Sequence, residues 1–223
     1  KSDSCCASPE LLISYKVILN EPQSGWVSGG VLSSGGGVSP GGGSTGVSKP
    51  PEYEPPPELP FILSKLLGEN ISEDKKIEKL KSIATATVDI RGIGFYTLGK
   101  KRKSLNEQEK KRYAELFEGY FLKSFSSRLA EYTNPEIEVQ DKVIINENYT
   151  IVNSSLVATS DRPEVKIDWR IYTKNPDRPL IRDLIVEGLS LARTQKEEFN
   201  SIIQNNDGDI NALFKTLEEF LIK

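Results

Sequence analysis

Apolar residues recur at two spacings along this chain, and the spacing changes near residue 135. Before that point the period is helical. Phe61–Gly68 is a short apolar stretch, and Ser72 is an N-cap candidate with Glu73 and Asp74 in the first turn. Ile77, Leu80, Ile83 and Ala84 follow at steps of three and four, which places them on one helix face. Asp89 is positioned to cap a further helix ending at Leu98-Gly99. Ser104 and Glu107 read as a capping box opening a long helix to about Tyr132, with Asn134-Pro135 as the stop. Its stripe is aromatic: Tyr113, Leu116/Phe117, Tyr120/Phe121, Phe125, Leu129 and Tyr132.

Beyond residue 135 the period drops to two. Strands are expected at about 137–145, 149–159, 164–173 and 180–187, separated by Asn, Asp and Pro turn clusters. In the third, Val165, Ile167, Trp169 and Ile171 face one way, while Lys166, Asp168, Arg170 and Tyr172 face the other. Short connections imply an antiparallel meander with one covered and one wet face. Gly188 ends the sheet in this reading. Two helices close the chain, one over about Leu189–Gln204 and one capped by Asp209 and carrying Ile210, Leu213, Phe214, Leu217 and Phe220. Helices, a four-stranded meander and helices make an α+β fold.

Composition divides the chain at residue 60. Residues 1–60 hold ten of the 17 glycines and nine of the 13 prolines. Such a segment loses more backbone entropy on ordering than its few apolar groups return, so 1–60 is expected to be a disordered Gly/Ser/Pro-rich extension. The proline run at 50–57 favours polyproline II, as a spacer or as a ligand for an aromatic groove. Leu11–Leu19 is too short and too interrupted for a membrane span or a signal-peptide core. With no methionine, the chain is expected to be processed or a fragment. Residues 61–223 form the expected domain.

Charge and residue inventory exclude several functions. The domain carries 26 basic and 26 acidic residues, without the excess that phosphate-backbone binding requires. There is no histidine, which removes Ser-His-Asp triads, Cys-His dyads and histidine zinc sites. The only cysteines, Cys5 and Cys6, lie in the extension, and no metal site is expected. Asp183 and Glu187 sit four apart on a strand and so share a face, a conceivable pair for acid–base chemistry, although among 32 acidic residues such pairs arise by chance. Arg91-Gly92-Ile93-Gly94 is not a nucleotide fingerprint, because it lacks the third glycine and the preceding strand. Lys100, Lys101, Arg102 and Lys103, with Lys110, Lys111 and Arg112 beyond, form the strongest charge feature. They are either a solvated helix start or a surface for anionic headgroups or an acidic partner. The aromatic stripe is either solid core or the wall of an apolar cavity.

Several motifs in colinear order resemble one family. The string Asp183-Leu184-Ile185-Val186-Glu187-Gly188-Leu189-Ser190-Leu191, followed by Gln195 and Phe199, resembles the D-V-x-V-E-G-V-S-L…Q-F signature of the MlaC, or toluene-tolerance, proteins. Phe95 to Gly99, Ser104 with Glu107-Gln108, Leu129 to Tyr132, and Asp207 to Leu213 resemble further blocks of that family. The likeness spans about residues 70–220. Arg102 stands where an aromatic is usual, Pro179-Leu180 where a Trp is frequent, and residues 1–60 do not resemble the family's export signal.

The resemblance implies a curved antiparallel sheet of the NTF2-like or cystatin-like kind, packed with helices around an apolar cavity. It implies a periplasmic phospholipid carrier, neither enzyme nor nucleic-acid binder, with phospholipid as cargo and no cofactor. Its partners would be an outer-membrane lipoprotein complex and an inner-membrane ABC transporter with an MCE-domain subunit, in the upkeep of outer-membrane lipid asymmetry. On this reading Leu98, Phe117, Phe121, Val165, Ile167, Trp169 and Ile171 line the acyl cavity. Lys100, Lys101, Arg102 and Lys103 meet a headgroup or partner. The alternatives are a lipid-free NTF2-like interaction module, and a small acid–base enzyme using Asp183 or tyrosines.

Overall fold

A computed structural model describes residues 62, 65–130, 136–160 and 162–223. The extension 1–60, Tyr132 and the Asn134-Pro135 stop lie outside the described residues. The element order is α1 (Glu73–Thr87), α2 (Ile90–Thr97), a 3₁₀ turn (Lys101–Lys103), α3 (Glu107–Ala130), β1 (Ile137–Asn146), β2 (Tyr149–Leu156), β3 (Val165–Tyr172), β4 (Leu180–Val186), β5 (Leu189–Ser190), α4 (Leu191–Gln204) and α5 (Ile210–Ile222).

Helix starts follow the sequence with one displacement. Ser72 precedes α1 in extended geometry, although its hydroxyl makes no cap bond. Asp89 accepts from the Gly92 amide and caps α2. The capping box of α3 is not Ser104/Glu107. Asn106 Oδ1 accepts from the Glu109 amide at 2.9 Å, and Glu109 Oε2 accepts from the Asn106 amide at 2.8 Å. The same spacing rule operates two residues later because the 3₁₀ turn ends on Ser104, whose hydroxyl donates back to the Lys101 carbonyl.

The sheet is an antiparallel meander in the order β1-β2-β3-β4-β5. It has five strands, not four. Glu187 and Gly188 both take positive φ, 49° and 81°, the pair of left-handed residues that a two-residue hairpin turn requires. The chain reverses there, and Leu189–Ser190 pairs with Ile185–Val186. Gly188 therefore turns the sheet rather than ending it. A second irregularity falls in β4. Arg170 pairs with Asp183 and Ile171 with Ile181, leaving Arg182 as the extra residue of a bulge.

The core lies where the helices meet one another and the Trp169 face of the sheet. Tyr113, Phe117, Tyr120, Phe199 and Phe214 are all at most 2% exposed. Phe117 is the hub, with ring centroids of Tyr113, Tyr120, Phe121 and Phe199 between 5.8 and 6.3 Å away. Gly94 permits this approach of α2 to α3, since a Cβ there would sit 2.7 Å from Phe117 Cδ1. Trp169 completes the core from β3, its indole N–H donating to Ser154 Oγ at 2.8 Å. A smaller cluster of Leu156, Val165 and Val186 packs at the far end of the sheet.

Candidate functional site

Two spaces open beside β4. The first is an apolar slot of about 50 Å³, walled by Phe117, Phe121 and Phe125 of α3 and by Trp169, Ile181 and Leu184 of the sheet. The second is an open cavity of about 690 Å³, with Phe95 and Tyr96 of α2 on one side and Tyr149, Ile151 and Arg170 of the sheet on the other. Arg102 and Arg182 also reach it. Ile93, Asp183 and Ala192 line both spaces, so Asp183 stands between them. The slot draws on the Trp169 face and the cavity on the face that carries Arg170.

The sequence-selected acyl residues separate into two groups. Phe117, Phe121 and Trp169 line the slot. Leu98 and Ile171 are packed in the main core, while Val165 sits in the smaller cluster with Ile167 against it. The larger space lies over the face expected to be wet. Tyr149 and Ile151 alternate with buried Thr150 and Val152, so β2 carries large side chains on both faces. That double coverage was the available signal. Arg182 reaches the cavity from a bulge, which strict alternation hides.

The basic run is also divided. Lys101 Nζ donates to the Gly208 carbonyl at 2.6 Å and ties the turn to the loop before α5. Lys100 and Lys103 are exposed, and Arg102 alone of the four lines the cavity.

Around Asp183 the polar groups are built in. Its side chain is 4% exposed. Ser190 Oγ donates to Oδ2 at 2.5 Å, and the Ala192 amide donates to Oδ1 at 3.0 Å. Ser190 Oγ in turn accepts from the Arg193 amide, capping α4. Glu187 has different duties, since its Oε1 accepts from the Lys166 amide at 2.6 Å across the sheet. The two carboxylates serve separate corners and form no acid–base pair. The Asp183-to-Leu191 block is thus the joint that turns β4 into β5 and then α4.

A second polar chain runs behind the slot. Tyr120 Oη donates to Gln195 Oε1 at 2.8 Å, and Gln195 Nε2 donates to Glu198 Oε2 at 2.9 Å. Burial pushes the Glu198 carboxyl up to about 7, against the opposing pull of the Gln195 amide. Burial likewise raises the Tyr113 phenol, with its hydrogen bond to Thr97 only partly offsetting the effect. Among the described residues, no group of three or more Asp, Glu, His or Cys side chains is placed to hold a metal ion. No described helix is long and apolar enough to cross a membrane.

The fold has a solved counterpart. A phospholipid-binding protein from Ralstonia solanacearum, determined in complex with a phospholipid, superposes with a TM-score of 0.60 over 73% of this chain and 93% of that one, at 16% identity. Among curated proteins no significant match is found. The sequence profile of the MlaC protein family matches residues 63–219, which takes in every strand named above, every helix but the last turn of α5, and the lining of both spaces beside β4. The chain belongs to the MlaC family.

Proposed function

We propose that this chain is a phospholipid carrier rather than an enzyme, and that residues 61–223 are its lipid-binding domain. The observation that carries the reading is the pair of adjoining spaces, an apolar slot and a larger half-apolar cavity with arginines on its wall. Their lining suits an amphipathic ligand, with hydrocarbon at one end and charge at the other. The phospholipid held by the Ralstonia solanacearum protein supports the same reading.

In this account Phe117, Phe121 and Trp169 form the first acyl wall, with Leu98, Ile167 and Ile171 packed in the core around it and Val165 in the smaller cluster further along the same face. The slot of about 50 Å³ has room for a few water molecules, not for a pair of acyl chains. Cargo therefore spreads Phe121 and Phe125 away from the sheet or occupies the open cavity. Each buried CH₂ is worth roughly 0.8 kcal/mol, so two long chains represent on the order of 20 kcal/mol against release into water. Release must then happen while docked. The family points to a periplasmic route between an outer-membrane lipoprotein complex and an inner-membrane ABC transporter with its MCE-domain subunit, serving lipid asymmetry. Lys100 and Lys103 are the docking cations in this scheme, while Arg102 stands at the cavity for the headgroup.

The test is transfer between two vesicle populations, one carrying a fluorescent phospholipid with its quencher. The protein at catalytic amounts should accelerate dequenching in proportion to its concentration. A rate equal to that of vesicles alone would remove the carrier reading.

A further inference from the structure

The geometry points to an anion subsite in the open cavity, selective for phospholipids whose headgroup bears a phosphodiester and no ammonium group. This rests on the lipid-carrier reading and specifies its cargo.

Three guanidinium groups reach the cavity from three separate elements: Arg102 from the 3₁₀ turn, Arg170 from β3 and Arg182 from the β4 bulge. Their commitments differ. Arg182 is engaged, with Nε donating to Asp89 at 2.7 Å, Nη1 donating to Tyr149 Oη at 3.0 Å, and its plane 3.6 Å from the Tyr172 ring centroid. Arg170 is held more loosely, in an ion pair that places Nη1 3.7 Å from Asp183 Oδ2, beyond hydrogen-bond reach of an oxygen that accepts from Ser190. Arg102 is exposed and forms no ion pair among the described residues. Two forks are thus available on one cavity, and a planar fork matches the oxygens of a phosphate group.

The surrounding charge favours the same ligand. Arg91 lies over the Phe95 ring at 5.6 Å and Lys196 over the Tyr96 ring at 5.0 Å, so the two aromatic residues of the α2 wall each bring a further cation. Among the residues that line the cavity, three cations, Arg102, Arg170 and Arg182, stand against one carboxylate, Asp183. Asp89 is paired with Arg182, and Asp183, almost fully buried, accepts from Ser190 and the Ala192 amide and is paired with Arg170. An ammonium headgroup would find both carboxylates already paired with arginines, and the Tyr96 face, a cation–π acceptor, holds Lys196. A phosphate oxygen would find the Arg102 fork, unpaired among the described residues, and an Arg170 fork that its long ion pair leaves free to donate.

The experiment equilibrates the full chain with vesicles of equimolar phosphatidylglycerol and phosphatidylethanolamine with identical acyl chains, then measures the ratio of bound lipids by mass spectrometry. Wild type should enrich phosphatidylglycerol by roughly ten-fold: both lipids offer the phosphodiester, and the preference comes from the repulsion of the ethanolamine ammonium by the cations around it. Arg102→Gln, on an exposed turn, should lower the ratio, and Arg102→Gln with Arg170→Gln should bring it to about that of the vesicles. A wild-type ratio matching the vesicles, or a double variant that keeps the wild-type ratio, overturns the subsite. Inorganic phosphate supplies the second arm. If it erases the enrichment where chloride at equal ionic strength does not, and does so at concentrations far below those of the lipid, the site is one for free phosphate and the headgroup assignment falls. Recovery of neither lipid would instead remove the carrier reading itself.

Discussion

The aromatic side chains of α3 and the aromatic residues around the open cavity look alike in composition and differ in how far the fold encloses them. Tyr113, Phe117 and Tyr120 are sealed against α2, α4 and α5. Phe95 and Tyr96 carry cations on their faces and border about 690 Å³ of open space. The difference lies in what stands opposite each group. The α3 rings meet other rings and aliphatic side chains, and close packing leaves no room. Phe95 touches the Tyr113 ring on its inner side, but across the cavity the α2 rings face a sheet surface that mixes Tyr149 and Ile151 with two arginines, whose charged ends resist complete burial. Aromatic density therefore marks core or cavity according to its partner, not according to its own spacing.

Substitutions should separate the two regions by size of effect. Phe117→Ala removes the hub of the packed region and should cost roughly 3–5 kcal/mol in urea unfolding. A cost below about 1 kcal/mol would mean that α3 packs as loosely as the cavity wall. Asp183→Ala strips the partner from the Ser190 hydroxyl and the Ala192 amide at the joint between the regions, with an expected loss of roughly 2–4 kcal/mol. Gly94→Ala drives a methyl into Phe117 and should cost about 1–3 kcal/mol, unless the ring yields. Ile151→Ala, on the half-exposed cavity wall, should change stability by no more than about 1 kcal/mol while reducing bound lipid.

Acid adds a test on the packed side. The Glu198 carboxyl is held above its ordinary value of 4.5, at about 7, so the folded state binds its proton more tightly than the unfolded chain does. This contribution is fully present below about pH 4.5 and is lost as pH rises to about 7. Glu198→Gln should flatten the dependence of the urea midpoint on pH across that window. An unchanged slope would show that water reaches Glu198 freely.

Much of this was legible before folding because its causes are local. Asp89 and Asp209 cap helices where the sequence places them, since an N-cap needs only a side chain and an adjacent amide. The alternation of β3 identified the Trp169 face, and the four longer strands lie close to their expected spans. The displaced capping box shows the limit of such rules. Ser104/Glu107 and Asn106/Glu109 satisfy the same spacing, and only the preceding 3₁₀ turn decides between them. The fifth strand depended on Glu187 accepting a left-handed conformation that the sequence alone did not announce. The cavity was least legible of all. It assembles Arg102, Tyr149, Arg170 and Arg182 from elements distant in sequence, and the β4 bulge brings Arg182 into it against the simple period of two.

The most direct test of the central claim is native mass spectrometry of the full chain purified from a bacterial host without detergent. The account requires a population heavier than the polypeptide by the mass of a diacyl phospholipid, released on collisional activation, and depleted in the Ile151→Ala variant relative to wild type. A single species at the polypeptide mass, unchanged after incubation with phospholipid vesicles, would contradict it.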